Sequence, residues 1–267
     1  MHSAAIHIQE IVDALEHFAP LPLQESYDNA GLLLGLTKEQ EATGALLCLD
    51  VTEEVIDEAI SLGYNLIIAH HPLIFSGIKK ITNDLISRCL KKAIKNDIAI
   101  YAAHTNLDNA YQGVNYEISR RIGLVDVRAL MLQDQGEESL HGGGAIGQLV
   151  KPMQRKDFLQ MLKDVFDVKA IRYSEGGPEQ ILTVALCGGA GSFMANIAKE
   201  NHADVFVTGE IKYHDFFGYE DLMLVALGHY ESEQFTQNLF QQILKDKLPA
   251  LKTKITLVNT NPIRVYK

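Results

Sequence analysis

Asn65-Leu66-Ile67-Ile68-Ala69-His70-His71-Pro72 decides the fold class. The apolar run is unbroken until it ends in two histidines and a proline, as expected of a short strand covered on both faces. Upstream, Leu46–Val51 is also strand-like and leads into a helical stretch whose core face is read as Val55, Ile56 and Ile60. Downstream, a helix near Asn83–Lys95 is followed by the apolar run Ile98–Ala103 and then by His104-Thr105-Asn106-Leu107-Asp108. Strand, helix and strand in this rhythm imply parallel strands joined by helical crossovers. The fold is read as α/β.

The rhythm breaks at residues 131–147. Gln133–Ser139 is polar and acidic, Gly142-Gly143-Gly144 follows, and the stretch reads as a loop and a candidate seam. Beyond it come Ala145–Val150, a helix around Arg155–Phe166, and Val168–Tyr173, then Ile181–Leu186, a helix after Gly191, Val205–Thr208 and Leu222–Ala226. The expectation is two lobes, mainly parallel sheets flanked by helices. Residues 1–128 with 226–267 would form one domain, and 129–225 a second inserted between its halves.

Composition excludes several function classes. The 267 residues are 47% hydrophobic and 22% charged, enough for a substantial core. Lysine and arginine total 24 against 34 acidic residues, a net charge of −10. Such a chain has no general attraction to nucleic acid or to an anionic membrane, which speaks against a nucleic-acid clamp. Cys48, Cys89 and Cys187 lie far apart without paired spacing, against a disulfide framework or a cysteine zinc site. Ile8, Ile11, Val12 and Leu15 mark an amphipathic first helix rather than a signal peptide, and no apolar run reaches the roughly 20 residues of a membrane span. The expected location is cytoplasmic.

Polar residues cluster where apolar runs end. In parallel sheets ligands bind beyond the carboxyl ends of strands. His70 and His71, then His104 and Asp108, then His229 with Glu233, each follow such a run. Imidazole and carboxylate from three strand ends are a donor set for divalent cations. Taken singly, each has a plain structural explanation. The paired histidines could be one packed and one solvated, Asp108 could cap a helix over Gln112–Arg121, and His229 and Glu233 could share a solvated helical face. As neighbours at a strand end, His70 and His71 should point to opposite sides and so serve different ions of a close pair. Glu210 and His214 have similar spacing, with Lys212 between them pointing to substrate binding. Gly188-Gly189-Ala190-Gly191-Ser192 could cradle a phosphate or form a tight turn. Met194 stands where the dinucleotide fingerprint needs its third glycine, and no nucleophile elbow is present.

Asp50-Val51-Thr52, Ile67 to Phe75, Ala103-His104-Thr105-Asn106-Leu107-Asp108, Thr208-Gly209-Glu210 and Gly228-His229-Tyr230-Glu231-Ser232-Glu233 stand in this order along the chain. Together they closely resemble the Nif-three-like family, whose members are often named GTP cyclohydrolase I type 2 homologues. The likeness spans nearly the whole chain. One departure is Tyr27, at the head of Tyr27-Asp28-Asn29-Ala30-Gly31-Leu32, where the family usually has tryptophan. The extra domain inserted in longer members is also missing. The resemblance implies a two-domain α/β fold, a ring-shaped homohexamer and a dinuclear metal centre held by His70, His71, Asp108, His229 and Glu233. The two divalent ions would be zinc, manganese or iron, a choice the donor set leaves open. His104, Glu210 and His214 would then orient ligands or meet substrate.

The resulting expectation is a two-metal hydrolase acting on a nucleotide such as GTP. A bridging water loses its proton and attacks carbon or phosphorus, and His104 or Glu210 moves protons. The alternative is a metal-binding scaffold or regulatory interaction protein with little turnover.

Overall fold

The computed structural model describes residues 5–35, 39–133 and 140–266. In chain order the first elements are α1 (Ile8–Phe18), β1 (Gly31–Leu34), β2 (Ala45–Cys48), α2 (Glu53–Leu62), β3 (Leu66–Ala69), α3 (Leu85–Lys95), β4 (Ala99–Ala102) and α4 (Thr105–Asn109). Next come α5 (Val114–Ile122), β5 (Leu124–Leu132), β6 (Gly142–Gln154), α6 (Arg155–Val165), β7 (Arg172–Tyr173) and β8 (Gln180–Cys187). The last are α7 (Ala195–Glu200), β9 (Val205–Thr208), β10 (Met223–Ala226), α8 (His229–Glu233), α9 (Thr236–Lys247) and β11 (Thr253–Ile255). They form two compact units: residues up to Leu107 with Thr236–Pro262, and Asp108–Phe235 with the residues from Ile263 on. The seams read from sequence, 128/129 and 225/226, lie within the second unit. There α5 packs on β5, β6 and β8, and α8 packs on α5.

The first unit is built on a five-stranded sheet of order β1-β4-β3-β2-β11. β11, β2, β3 and β4 run parallel, and β1 closes the edge antiparallel to β4. Every residue of β2, β3 and β4 is buried. The strand period of two divides them between the faces. Leu46, Cys48, Ile67, Ala69 and Ile100 pack with Val55, Ile56 and Ala59 of α2 and Cys89, Leu90 and Ala93 of α3. α9 lies on β2 and β11, and α1 packs against α9. The core face of α2 runs through Ala59, with Leu62 packed against the same cluster, rather than through the expected Ile60, which is 39% exposed. Position 59 continues the 55/56 stripe at helical spacing, whereas 60 turns outward. Thr52 caps α2, accepting from Val55 N, and Gly63 closes it in the left-handed region at φ 67°.

The second unit carries a six-stranded mixed sheet, β5-β6-β8-β9-β10-β7. β8, β9 and β10 are parallel, while β5, β6 and β7 pair antiparallel to their neighbours. The stretch 131–147, read as a loop, instead carries the facing ends of a hairpin, with Met131 opposite Gly143 and Leu132 opposite Gly142. Of the expected loop Gln133–Ser139, all but Gln133 lies outside the described residues. Ile146, Ala185, Phe206 and Leu224 pack with Met194, Ala195 and Ala198.

Cys48 and Cys89 are buried in the first unit and Cys187 is half-buried. Among the described residues, no helix is long and apolar enough to cross a membrane.

Candidate metal centre

In the first unit strand register assembles the donors. Cys48, Ala69 and Ala102 lie level across β2, β3 and β4. Asp50, His70-His71 and His104 therefore all leave the sheet at its carboxyl edge, where loops of a parallel sheet converge.

His70 is fully buried, and its Nδ1 lies 2.9 Å from the Ala103 carbonyl oxygen. A carbonyl only accepts, so Nδ1 carries a proton, which leaves Nε2 as the ring's candidate ligand atom. His71 repeats the device with a side chain. Its Nδ1 is 2.8 Å from Asp50 Oδ1, while Asp50 Oδ2 accepts from Thr260 Oγ1 at 2.6 Å. His104 Nδ1 is 2.8 Å from Asp28 Oδ1, and Asp28 Oδ2 accepts the Thr105 amide at 3.0 Å as well as the Thr105 hydroxyl. β1 explains the reach of Asp28. Gly31 pairs with Ala102, so the residues preceding β1 arrive beside the end of β4.

The ring centroids of His70, His71 and His104 are 5.0, 5.3 and 5.5 Å apart, and one ring nitrogen from each lies within 4.8 Å of the others. His70 and His71 both join this group because β3 ends at Ala69, so strand alternation no longer separates them. Burial pushes the Asp50 carboxyl up, but hydrogen bonding and charge attraction from His71, helped by Thr260, hold it below its ordinary value. Asp28 shows the same contest more strongly. Burial raises it, and His104, Thr105 and the Asn29 amide bring it down to about 2.

The second unit repeats the strand-end logic. Cys187, Thr208 and Ala226 lie level across β8, β9 and β10. The turns that follow carry Gly188-Gly189, Gly209-Glu210 and Gly228-His229. α8 begins at His229 and places Glu233 one turn on, with His229 Nε2 3.1 Å from Glu233 Oε2 and Nδ1 3.1 Å from Glu210 Oε1. Glu233 is buried, and a carboxylate oxygen of Asp108 lies within 4.8 Å of it. Asp108 lies inside α4, and α5 is capped by Gly113, so the capping explanation does not apply to it.

The glycines after β8 serve packing. Gly189 holds φ at +59°, and a Cβ there would stand 2.3 Å from Glu233 Oε1. Three amides that a phosphate would need are already donated, Gly188 to Asn115 Oδ1, Gly189 to Ser232 Oγ and Gly191 to Thr208 Oγ1. The loop is the tight turn, not the phosphate cradle. His214 lies on the turn Tyr213–Phe216, its ring 5.2 Å from that of Tyr213.

The family model described as Duf34/NIF3 (NGG1p interacting factor 3) matches residues 6–262. The chain belongs to the Duf34/NIF3 family. A Clostridium perfringens relative named "GTP cyclohydrolase 1 type 2 homolog" is 35% identical over 229 residues, covering 85% of this chain and 86% of its own. A Staphylococcus aureus crystal structure superposes with a TM-score of 0.89 at 28% identity, covering 98% of this chain and 99% of that one. A Bacillus cereus protein related to NIF3 gives 0.87 at 27% identity, covering 99% and 100%.

The donor chemistry of this Duf34/NIF3 chain fits a divalent metal. Imidazoles whose Nδ1 is fixed by a carbonyl or carboxylate are the usual form of histidine ligands. Nε2 of His229 and Oε2 of Glu233 at 3.1 Å also approach the roughly 3.3 Å edge of a tetrahedron with ~2.0 Å bonds. Sequence reasoning assigned no role to Asp28, Asp50 and Thr260. Asp50 carries the same signal as the histidines, a polar residue just past an apolar strand. Asp28 and Thr260 carry none, because the pairings that bring them in join distant segments.

Proposed function

We propose that this chain is a metal-dependent hydrolase in which His70, His71, Asp108, His229 and Glu233 hold two divalent ions, and that it acts on a nucleotide such as GTP. The observation that carries the reading is the first unit's group of three imidazoles, each with Nδ1 committed to an acceptor. Zinc, manganese and iron all accept such nitrogen and oxygen donors. Bound ions of this kind supply Lewis acidity, which acidifies water and steadies a leaving group.

The chain's own residues do the rest. The Ala103 carbonyl and Asp50 fix the rings of His70 and His71, and Glu210 orients His229 through Nδ1. His104 is assigned the proton transfers. Asp28, held ionised by its low pKa, steadies the imidazolium formed when His104 takes a proton. We further propose a ring-shaped homohexamer in the cytoplasm. The thiols of Cys48 and Cys89, buried in the first unit, suit a reducing compartment.

The test joins metal analysis to a screen of nucleotides and phosphoesters on wild type and on a His70→Ala, Glu233→Ala double variant. The expected result is stoichiometric metal and hydrolysis in the wild type, both lost in the double variant. Full activity in a metal-free double variant refutes the reading. Stoichiometric metal without turnover, with reproducible pull-down of one partner, favours the scaffold instead.

A further inference from the structure

Two large rings stand exposed beside the histidine group of the first unit. Tyr27 is 59% exposed and Phe75 46%. Their centroids are 6.3 Å apart with planes inclined at 44°, and Phe75 meets the His104 ring edgewise at 6.1 Å. Single exposed aromatics are ordinary on a protein surface. A touching pair continuous with a candidate catalytic imidazole is not. The two loops that carry the rings are tied together, since Asn29 Nδ2 donates to the Ile74 carbonyl at 2.6 Å. Asp28, next to Tyr27, is the same residue that anchors His104. The rings are thus set in place before any ligand arrives, which lowers the ordering entropy lost on binding.

We propose that Tyr27 and Phe75 form a stacking platform for the flat heteroaromatic ring of the substrate, delivering it next to His104. The proposal rests on the nucleotide reading above and names the part of the ligand that is recognised. A chain of net charge −10 gains little from long-range attraction to phosphates, so ring contact is the stronger handle. A sandwich would need roughly 7 Å between parallel rings, twice the ~3.5 Å contact distance. At 6.3 Å and 44° the pair is too narrow and too tilted for that. The ligand ring instead stacks on one face and meets the other ring's edge, an arrangement aromatic quadrupoles favour. Stacking tolerates any planar base, so the platform selects a class rather than one nucleobase.

The test is calorimetric titration of the metal-loaded full chain with GTP, ATP and FMN, with ribose 5-phosphate as the ringless comparison. Variants are Tyr27→Ala, Phe75→Ala and Tyr27→Phe. At least one ringed probe is expected to bind more tightly than ribose 5-phosphate. Each alanine variant should weaken that probe about fivefold or more, with Tyr27→Phe close to wild type and ribose 5-phosphate unchanged throughout. Equal affinity for ringed and ringless probes, or unchanged affinity in both alanine variants, overturns the proposal. So does dissociation of a wild-type assembly in either alanine variant, since the rings would then belong to a contact between copies. Ring-dependent binding without turnover defeats the hydrolase reading and leaves the platform standing. Turnover that is indifferent to both alanine changes does the reverse.

Discussion

Gly189→Ala separates backbone strain from damage to the donor set, because Gly63→Ala supplies the matching control. Both glycines lie in the left-handed region, at φ 59° and 67°. An alanine there costs about 1–2 kcal/mol, partly offset by ~0.4–1 kcal/mol from a less free unfolded chain. At Gly63 a Cβ meets nothing within 4 Å, so that variant should show strain alone. A net loss near 1 kcal/mol lowers Tm by about 2–4 °C in a protein of this size. At Gly189 the new carbon stands 2.3 Å from Glu233 Oε1, about 1 Å short of ordinary contact. Glu233 is buried and touches His229 at 3.1 Å, so it cannot simply swing into solvent. Metal ligands tolerate errors of only about 0.2 Å, and disturbing even an outer partner weakens binding roughly 10–100-fold. Competition with a chromophoric zinc chelator should therefore show at least about a tenfold loss for Gly189→Ala and none for Gly63→Ala. Zinc affinity in Gly189→Ala within about twofold of wild type would refute the assignment of Glu233 as a ligand.

Asp50→Ala removes the acceptor that fixes His71, and zinc affinity should fall about 10–100-fold in the same competition assay while far-UV circular dichroism stays unchanged. Asp28 is ionised at lower pH when folded than when unfolded. Its contribution to stability is therefore complete above about pH 4 and is lost as pH falls through about 2. Urea midpoints of Asp28→Asn should accordingly show a shallower acid limb than wild type across that window. Thr52→Ala removes the cap of α2, whose bond to Val55 N is long at 3.4 Å. A loss of about 0.5–1 kcal/mol by urea unfolding is expected, with zinc affinity unaltered.

The parts of the fold legible in the sequence are those whose environment is uniform. β2, β3 and β4 are buried on both faces, so their unbroken apolar runs stand out, and polar residues just past them mark one edge. β5 was invisible for the opposite reason. Its nine residues mix exposed and buried positions without clean alternation, and a register shift interrupts its pairing with β6. β6 is legible only at Ala145–Val150 because most of its final residues are exposed. Within the site, His70, His71 and His104 were legible as types at strand ends. Their sharing of one group was not, since the side-chain alternation applied to them stops where strand pairing stops. Gly188 and Gly189 fit either an anion loop or a tight turn by sequence, because glycine content does not reveal that the amides are taken by Asn115 and Ser232.

The three imidazoles differ in what holds them. His71 and His104 lean on carboxylates that one substitution can delete, whereas His70 leans on the main chain of residue 103. No change of side chain at 103 takes that oxygen away. His70 is therefore tethered to the integrity of the sheet itself, through the Ala103 amide that donates to the Ala69 carbonyl at 3.0 Å. Its aim is lost only when β3 and β4 part, which makes the His70 ring a built-in reporter of whether the first unit is whole.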